Sequence, residues 1–135
     1  MGAGLPIVDT AAKLLALNPD MLTCADVGVA EVTFSATDVN GVTAEVVCSV
    51  TVMDLVPPVI TTTPQTVVLS DDDGTATLTV ADLASATDAC GIASLTASQL
   101  LFTCEDIGEV EVTITATDNN GNVSTSPVTV TVEFN

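Results

Sequence analysis

The chain contains four cysteines whose number and spacing could support disulfide bonds. They are Cys24, Cys48, Cys90 and Cys104. No two of them form a CxxC pair, which argues against a redox or zinc site. Four cysteines allow three connectivities. We expect pairing within each half of the chain, as Cys24–Cys48 and Cys90–Cys104, each worth about 3 kcal/mol through loop closure. The alternative is four free thiols in a reducing compartment.

Clustered carboxylates before a glycine could bind a hard cation. The strongest cluster precedes Gly74 and consists of Asp71, Asp72 and Asp73. With nearby carbonyl groups, these carboxylates could supply the several oxygen ligands that calcium requires. Asp38 beside Asn40, and Asp118 beside Asn120, are weaker candidates because an aspartate that opens a turn caps backbone N–H groups without a metal. None of these has the ligand spacing of an EF-hand loop.

Catalytic chemistry has little material in this sequence. The chain has no histidine, which removes every Ser-His or Cys-His nucleophile pair. Two carboxylates can hydrolyse a glycosidic bond, and Glu109 and Glu111 are the pair to consider. On a strand they would lie on the face opposite Val110 and Val112, so a solvated surface is expected. We predict no catalytic residue, no required cofactor and no enzyme activity.

The charge of the chain excludes several classes of partner. Eighteen acidic residues face a single lysine, which gives a formal net charge of -17. Such a charge repels nucleic acid and anionic membrane surfaces. No apolar run approaches the length of a membrane span. At 47% hydrophobic residues, the chain can nevertheless bury a core and should fold.

Residue types and periodicity predict an all-β fold. Valine and threonine make up about a third of the chain, and both favour pleated strands. Apolar residues alternate with threonine or glutamate in several segments, including those at 75–80, 111–116 and 128–132. Asp-Asn-Gly turns separate these segments. The one helical candidate is Thr10–Leu17, which is rich in alanine and leucine and precedes Pro19.

An internal repeat sets the domain organisation. At an offset of 80 residues, Leu22–Asp54 matches Phe102–Phe134 with 15 identities in 33 positions. We therefore predict two domains: residues 1–54, a partial repeat with an atypical N-terminal segment, and residues 55–135, a complete repeat. Pro57 and Pro58 stiffen the short linker between them.

The complete repeat resembles a known family. The stretches PPVI, DDDGTATLTVADL, ATDACGIASL, FTCEDIGEVEVTITATDNNG and VTVTVE are similar to hyalin-repeat (HYR-like) immunoglobulin-type modules. These modules form tandem arrays in bacterial surface adhesins. The resemblance implies an immunoglobulin-like antiparallel β-sandwich and a structural or adhesive role at the cell surface. The alternative is an adhesin domain that binds a glycan or a receptor through its loops.

The partial repeat predicts a structural partner. A sandwich without its first strands exposes an open edge and an apolar face. Neighbouring repeats of a longer array could complete it. Alternatively, identical subunits could donate a strand and form a filament, with Met1–Met21 or Val128–Asn135 as the exchanged segment.

Overall fold

A computed structural model describes residues 12–135 and shows a mostly β protein. Strands account for 60% of the residues and helices for 8%, so the all-β prediction is confirmed. The chain divides into two compact units, unit 1 at Met1–Met53 and unit 2 at Asp54–Asn135.

Unit 1 is a three-stranded antiparallel sheet. Its strands are β1 (Ala12–Asn18), β2 (Gly28–Asp38) and β3 (Thr43–Val52), in the order β1-β2-β3, and a 3-10 helix at Cys24–Asp26 precedes β2. Between β2 and β3, the carboxylate of Asp38 accepts hydrogen bonds from the backbone N–H groups of Asn40 and Val42. This Asp-opened turn is the structure that the sequence predicts.

The helix predicted at Thr10–Leu17 is wrong. Ala12–Asn18 is a strand that pairs with β2, from Ala12 opposite Asp38 to Asn18 opposite Thr33. A helix of eight residues is marginal by itself in water, whereas a strand beside β2 satisfies its backbone groups against an existing edge. Thr10 and Ala11 lie outside the described residues.

Unit 2 contains eight strands and two short helical segments. The strands are β4 (Val59–Thr62), β5 (Gln65–Leu69), β6 (Thr75–Thr77), β7 (Ala84–Thr87), β8 (Ile92–Ala97), β9 (Leu101–Thr103), β10 (Gly108–Asp118) and β11 (Val123–Phe134). Helix α1 spans Val80–Leu83, and a 3-10 helix spans Cys104–Asp106.

The strands of unit 2 form one larger and two smaller sheets. The four-stranded sheet has the order β5-β11-β10-β8, and the two-stranded sheets are β4-β7 and β6-β9. The pairing of β5 with β11 is parallel, whereas the other pairings are antiparallel. The first two strands of the unit therefore end up beside its last strand or beside β7.

One hydrophobic core joins these three sheets. Phe102 on β9, Leu83 on α1 and Ile114 on β10 are completely buried, and each such side chain contributes about 1.5–3 kcal/mol when removed from water. The buried cluster also contains Val67, Leu69, Ala84, Val112, Val128, Val130 and Val132. On β10 and β11 these are the even-numbered positions, as strand alternation predicts.

The sequence repeat is also a structural repeat. In unit 1, Gly28 pairs with Val52, and in unit 2 Gly108 pairs with Val132. Every pair between β2 and β3 has a β10–β11 counterpart 80 residues later. Both 3-10 helices begin with the same capping box, formed by a threonine and an aspartate three residues on.

The structural repeat extends beyond the segment in which the sequence repeat is visible. Leu17 pairs with Phe34 in unit 1, and Ala97 pairs with Ile114 in unit 2. Both pairings contain a register shift, between Ala12 and Leu14 and at the corresponding place opposite β8. Strand β1 is thus the counterpart of β8.

Candidate functional site

Two carboxylates and one sulfur atom meet near one end of unit 2. Asp54 precedes β4, and Asp88 and Cys90 lie in the loop between β7 and β8. One potential ligand atom from each lies within 4.8 Å of the others, and all three residues are half-buried. We call these three residues the Asp54 cluster.

The two carboxylates of the Asp54 cluster are held differently. Asp54 Oδ1 accepts a hydrogen bond of 3.1 Å from the backbone N–H of Val56. Its Oδ2 atom is buried and has no hydrogen-bond partner. Asp88 Oδ2 accepts a hydrogen bond of 2.8 Å from the backbone N–H of Cys90. Asp54 Oδ2 is therefore the one polar atom in this group whose burial is not compensated.

Asp118 anchors the turn beside the Asp54 cluster. It is 1% exposed, and its Oδ1 accepts hydrogen bonds from the backbone N–H groups of Asn120 and Asn122. Its Oδ2 accepts one from Asn122 Nδ2. Burial raises the pKa of Asp118, but the hydrogen bonds from Asn122 and Asn120 outweigh it, so the pKa lies below its usual value of 3.8. The charged form is thus the structural one.

Two asparagines connect this turn to the neighbouring loops. Asn122 Nδ2 donates a hydrogen bond of 2.8 Å to the carbonyl oxygen of Asp54, and Asn119 Nδ2 donates one of 2.8 Å to the carbonyl oxygen of Cys90. Gly91 lies under this second bond with φ of 96°. A Cβ at Gly91 would lie 2.6 Å from Asn119 Nδ2. The loops around the Asp54 cluster are therefore fixed by specific contacts.

The chemistry of the Asp54 cluster is that of a partial cation site. Carboxylate oxygens suit hard cations, but calcium takes six to eight oxygen ligands. Cys90 is disulfide-bonded, so its sulfur is not a thiolate ligand. Two carboxylates alone do not complete a coordination shell.

The residues predicted to bind calcium form a turn between β5 and β6. Asp73 Oδ1 accepts hydrogen bonds from the backbone N–H and the hydroxyl group of Thr75, and these bonds hold the pKa of Asp73 below its usual value. Asp71 and Asp72 are exposed. Among the described residues, close three-ligand grouping occurs at the Asp54 cluster and not at this turn. Calcium binding by Asp71, Asp72 and Asp73 stays a prediction.

The predicted disulfides Cys24–Cys48 and Cys90–Cys104 are wrong. Cys24 and Cys90 are disulfide-bonded, whereas Cys48 and Cys104 are exposed free thiols. Both halves of the prediction fail for the same geometric reason, which is the length of the strands that separate the cysteines.

In unit 1, Cys48 pairs with Val32, and Cys24 precedes the end of the ladder at Gly28. Four residues of strand span about 13 Å, more than the Cα separation of about 7 Å that a disulfide tolerates. In unit 2, Cys104 Sγ lies 3.8 Å from the carbonyl oxygen of Gly74. Cys90 instead contacts the turn at the opposite end of β10.

Two further candidate positions are now placed. Glu109 and Glu111 are exposed on β10, on either side of the core-facing Val110, as predicted for a solvated face. Asn122 begins the sequon-like Asn-Val-Ser sequence, but its amide nitrogen already donates two hydrogen bonds.

Sequence reasoning missed Asp54 and Asp88. Asp38 and Asp118 could be identified because a local Asp-x-Asn turn carries the signal. Asp54 and Asp88 are 34 positions apart, and only the pairing of β4 with β7 brings the ends of their segments together. No local pattern encodes that proximity.

Comparison with protein-family models and with curated proteins gives no match to this chain. Within the described residues, no helix is long and apolar enough to cross a membrane.

Proposed function

We propose that this chain is an extracellular structural segment built from immunoglobulin-like β-sandwich repeats, and that it transmits mechanical load along a surface or filament protein. The resemblance to hyalin-repeat modules supports the sandwich assignment. The internal repeat supports a tandem arrangement. The disulfide-bonded Cys24 and Cys90 support an oxidising location, because such bonds are rare in reducing compartments.

The observation that carries the proposal is the parallel pairing of β5 with β11. Residues Gln65–Leu69 pair in register with Val130–Phe134. Force applied to the two ends of unit 2 pulls β5 from its N-terminal end and β11 from its C-terminal end. In a parallel pair these two directions are opposite, so the strands are sheared. All interstrand hydrogen bonds then resist together, rather than opening one after another.

The test is single-molecule force spectroscopy on the full chain, pulled through its two ends. We expect the unfolding force of unit 2 to drop strongly in Thr66→Pro, because proline interrupts the ladder between β5 and β11. Ser94→Pro is the matched control, since Ser94 is an equally exposed position on β8, at the other edge of the same sheet.

Thermal unfolding of both variants corrects the comparison for general loss of stability. An equal loss of unfolding force in Thr66→Pro and Ser94→Pro, at equal melting temperatures, would contradict a mechanical role of β5 and β11. Specific, saturable binding on a glycan array would instead favour the adhesin alternative.

A further inference from the structure

The sheet of unit 1 has an apolar face with no cover in its own unit. In an antiparallel pair, residues directly opposite each other share a face. Leu17 pairs with Phe34, Phe34 with Val46, and Val32 with Cys48. These five residues, together with Val50 opposite Ala30, define what we call the open face.

The open face corresponds to the core-facing side of the four-stranded sheet in unit 2. Phe34 is 41% exposed, whereas its counterpart Ile114 is fully buried. Cys48 is exposed, whereas its counterpart Val128 is only 3% exposed. The residues differ little in polarity, so the difference in burial comes from what covers them.

The cover in unit 2 comes from residues that precede β8. Ile60, Leu83 and Ala84 pack in the same core as Val112 and Ile114, and β5 extends the sheet beside β11. Within residues 12–53, the described part of unit 1, no strand corresponds to β4, β5, β6 or β7. The open face is therefore half of a two-layer arrangement.

We infer that two copies of this chain associate by packing the open faces of their unit 1 sheets against each other. The covering strands of unit 2 cannot be lent to another copy, because Leu69 and Leu83 are 2% and 0% exposed in their own core. A second open face is what each copy still has to offer, and stacked sheets pack about 10 Å apart.

Charge favours the same occupant. The molecule carries a net charge of -17, so two copies repel each other over most of their surfaces. The open face contains no charged residue. Glu31 on β2 and Glu45 on β3 alternate with its members and therefore lie on the opposite side of the sheet. Contact through the open face keeps carboxylates out of the interface.

The size of the open face sets the strength of association. Three strands about 4.8 Å apart and about ten residues long cover roughly 500 Å². Two copies would bury roughly 1,000 Å², the lower limit for a specific interface. We therefore expect a weak dimer whose population depends on protein concentration.

The test is sedimentation equilibrium of the full chain over a wide concentration range, at about 0.15 M salt, where the screening length is about 8 Å. The average mass should rise from 13.6 kDa towards twice that value. Val46→Glu should hold the mass at that of the monomer. Val47→Glu is the matched control, because Val46 and Val47 are both 58% exposed and lie on opposite faces of β3, and it should behave like wild type.

Thiol alkylation gives a second readout that does not depend on substitution. Cys48 should be alkylated several-fold more slowly at high protein concentration than at low concentration. Cys104, the exposed thiol of unit 2, should react at a constant rate and serves as the internal reference.

Three results would overturn the inference. A monomer at all concentrations with unprotected Cys48 would show that the face stays open. Equal dimerisation of Val46→Glu and Val47→Glu would place the interface elsewhere. Oligomers that grow beyond the dimer would indicate open-ended strand donation instead. None of these results bears on the force experiment, so the two proposals can fail separately.

Discussion

At the scale of single residues, polar contacts in unit 2 are concentrated around one buried carboxylate. Asp118 accepts three hydrogen bonds from Asn120 and Asn122, and Asn122 passes the connection on to the carbonyl oxygen of Asp54. This role was partly predictable, because an aspartate that opens an Asp-x-Asn-Gly turn caps backbone groups. Its link to Asp54 was not, since the two residues are 64 positions apart.

The lowered pKa of Asp118 predicts a pH-dependent contribution to stability. Because the folded pKa lies below the unfolded value of 3.8, the stabilisation is complete above that value and is lost as the pH falls through the folded pKa. Asp118→Asn should therefore lower the melting temperature at pH 7, and the difference from wild type should shrink towards pH 3.

Asp72→Asn is the control for that experiment, because it removes an exposed carboxylate from a turn elsewhere in the unit. Thermal denaturation followed by circular dichroism from pH 7 to pH 3 gives the comparison. A difference between Asp118→Asn and wild type that stays constant over this range would show that the charge of Asp118 is not what stabilises the turn.

A second residue-scale prediction concerns Gly91. Gly91→Ala should destabilise the protein by about 1–2 kcal/mol for the positive φ, and by a further amount for the contact with Asn119. Gly121→Ala shares the first cost, with φ of 90°, but its Cβ would meet nothing within 4 Å. Urea unfolding should rank Gly91→Ala below Gly121→Ala. Equal stabilities would mean that Asn119 moves aside without cost.

At the scale of elements, alternation and turn residues predicted the strands well, whereas β1 was mistaken for a helix. Val112, Ile114 and Ala116 are all buried on β10, as their spacing indicates. Between Ala12 and Asn18, however, alanine and leucine have high helix propensity, and pairing with β2 overrides it. The counterpart β8 is just as dissimilar in sequence, apart from Leu95 at the position of Leu15. Only the ladder reveals their equivalence.

The difference between a covered and an uncovered sheet predicts the effects of two phenylalanine substitutions. Phe102→Ala should destabilise unit 2 by about 3–5 kcal/mol, because Phe102 is fully buried and a cavity remains. Phe34→Ala should cost far less in monomeric protein, because Phe34 is 41% exposed. Chemical denaturation at low protein concentration measures both. Similar losses would show that unit 1 has a core of its own around Phe34.

At the scale of the whole molecule, charge opposes compactness. With 18 acidic residues and one lysine, self-repulsion destabilises the folded state. Composition alone predicts this feature. Where a cation would relieve it depends on loop proximities such as that of Asp54 and Asp88, which composition does not contain.

Millimolar calcium should therefore raise the melting temperature more than sodium chloride of equal ionic strength. If Asp71, Asp72 and Asp73 bind the ion, the double variant Asp71→Asn/Asp72→Asn should lose this excess. The double variant Glu109→Gln/Glu111→Gln removes two exposed charges from β10 and should retain it. Equal shifts with the two salts would reduce the effect to screening.

The central claim is that unit 1 repeats the strand arrangement of β8, β10 and β11 at an offset of 80 residues. Nuclear Overhauser effects between backbone protons test it most directly. We predict cross-strand contacts between Leu17 and Phe34 and between Val32 and Cys48, matched by contacts between Ala97 and Ile114 and between Val112 and Val128. Sequential helical contacts over residues 12–17, without contacts to β2, would contradict the claim.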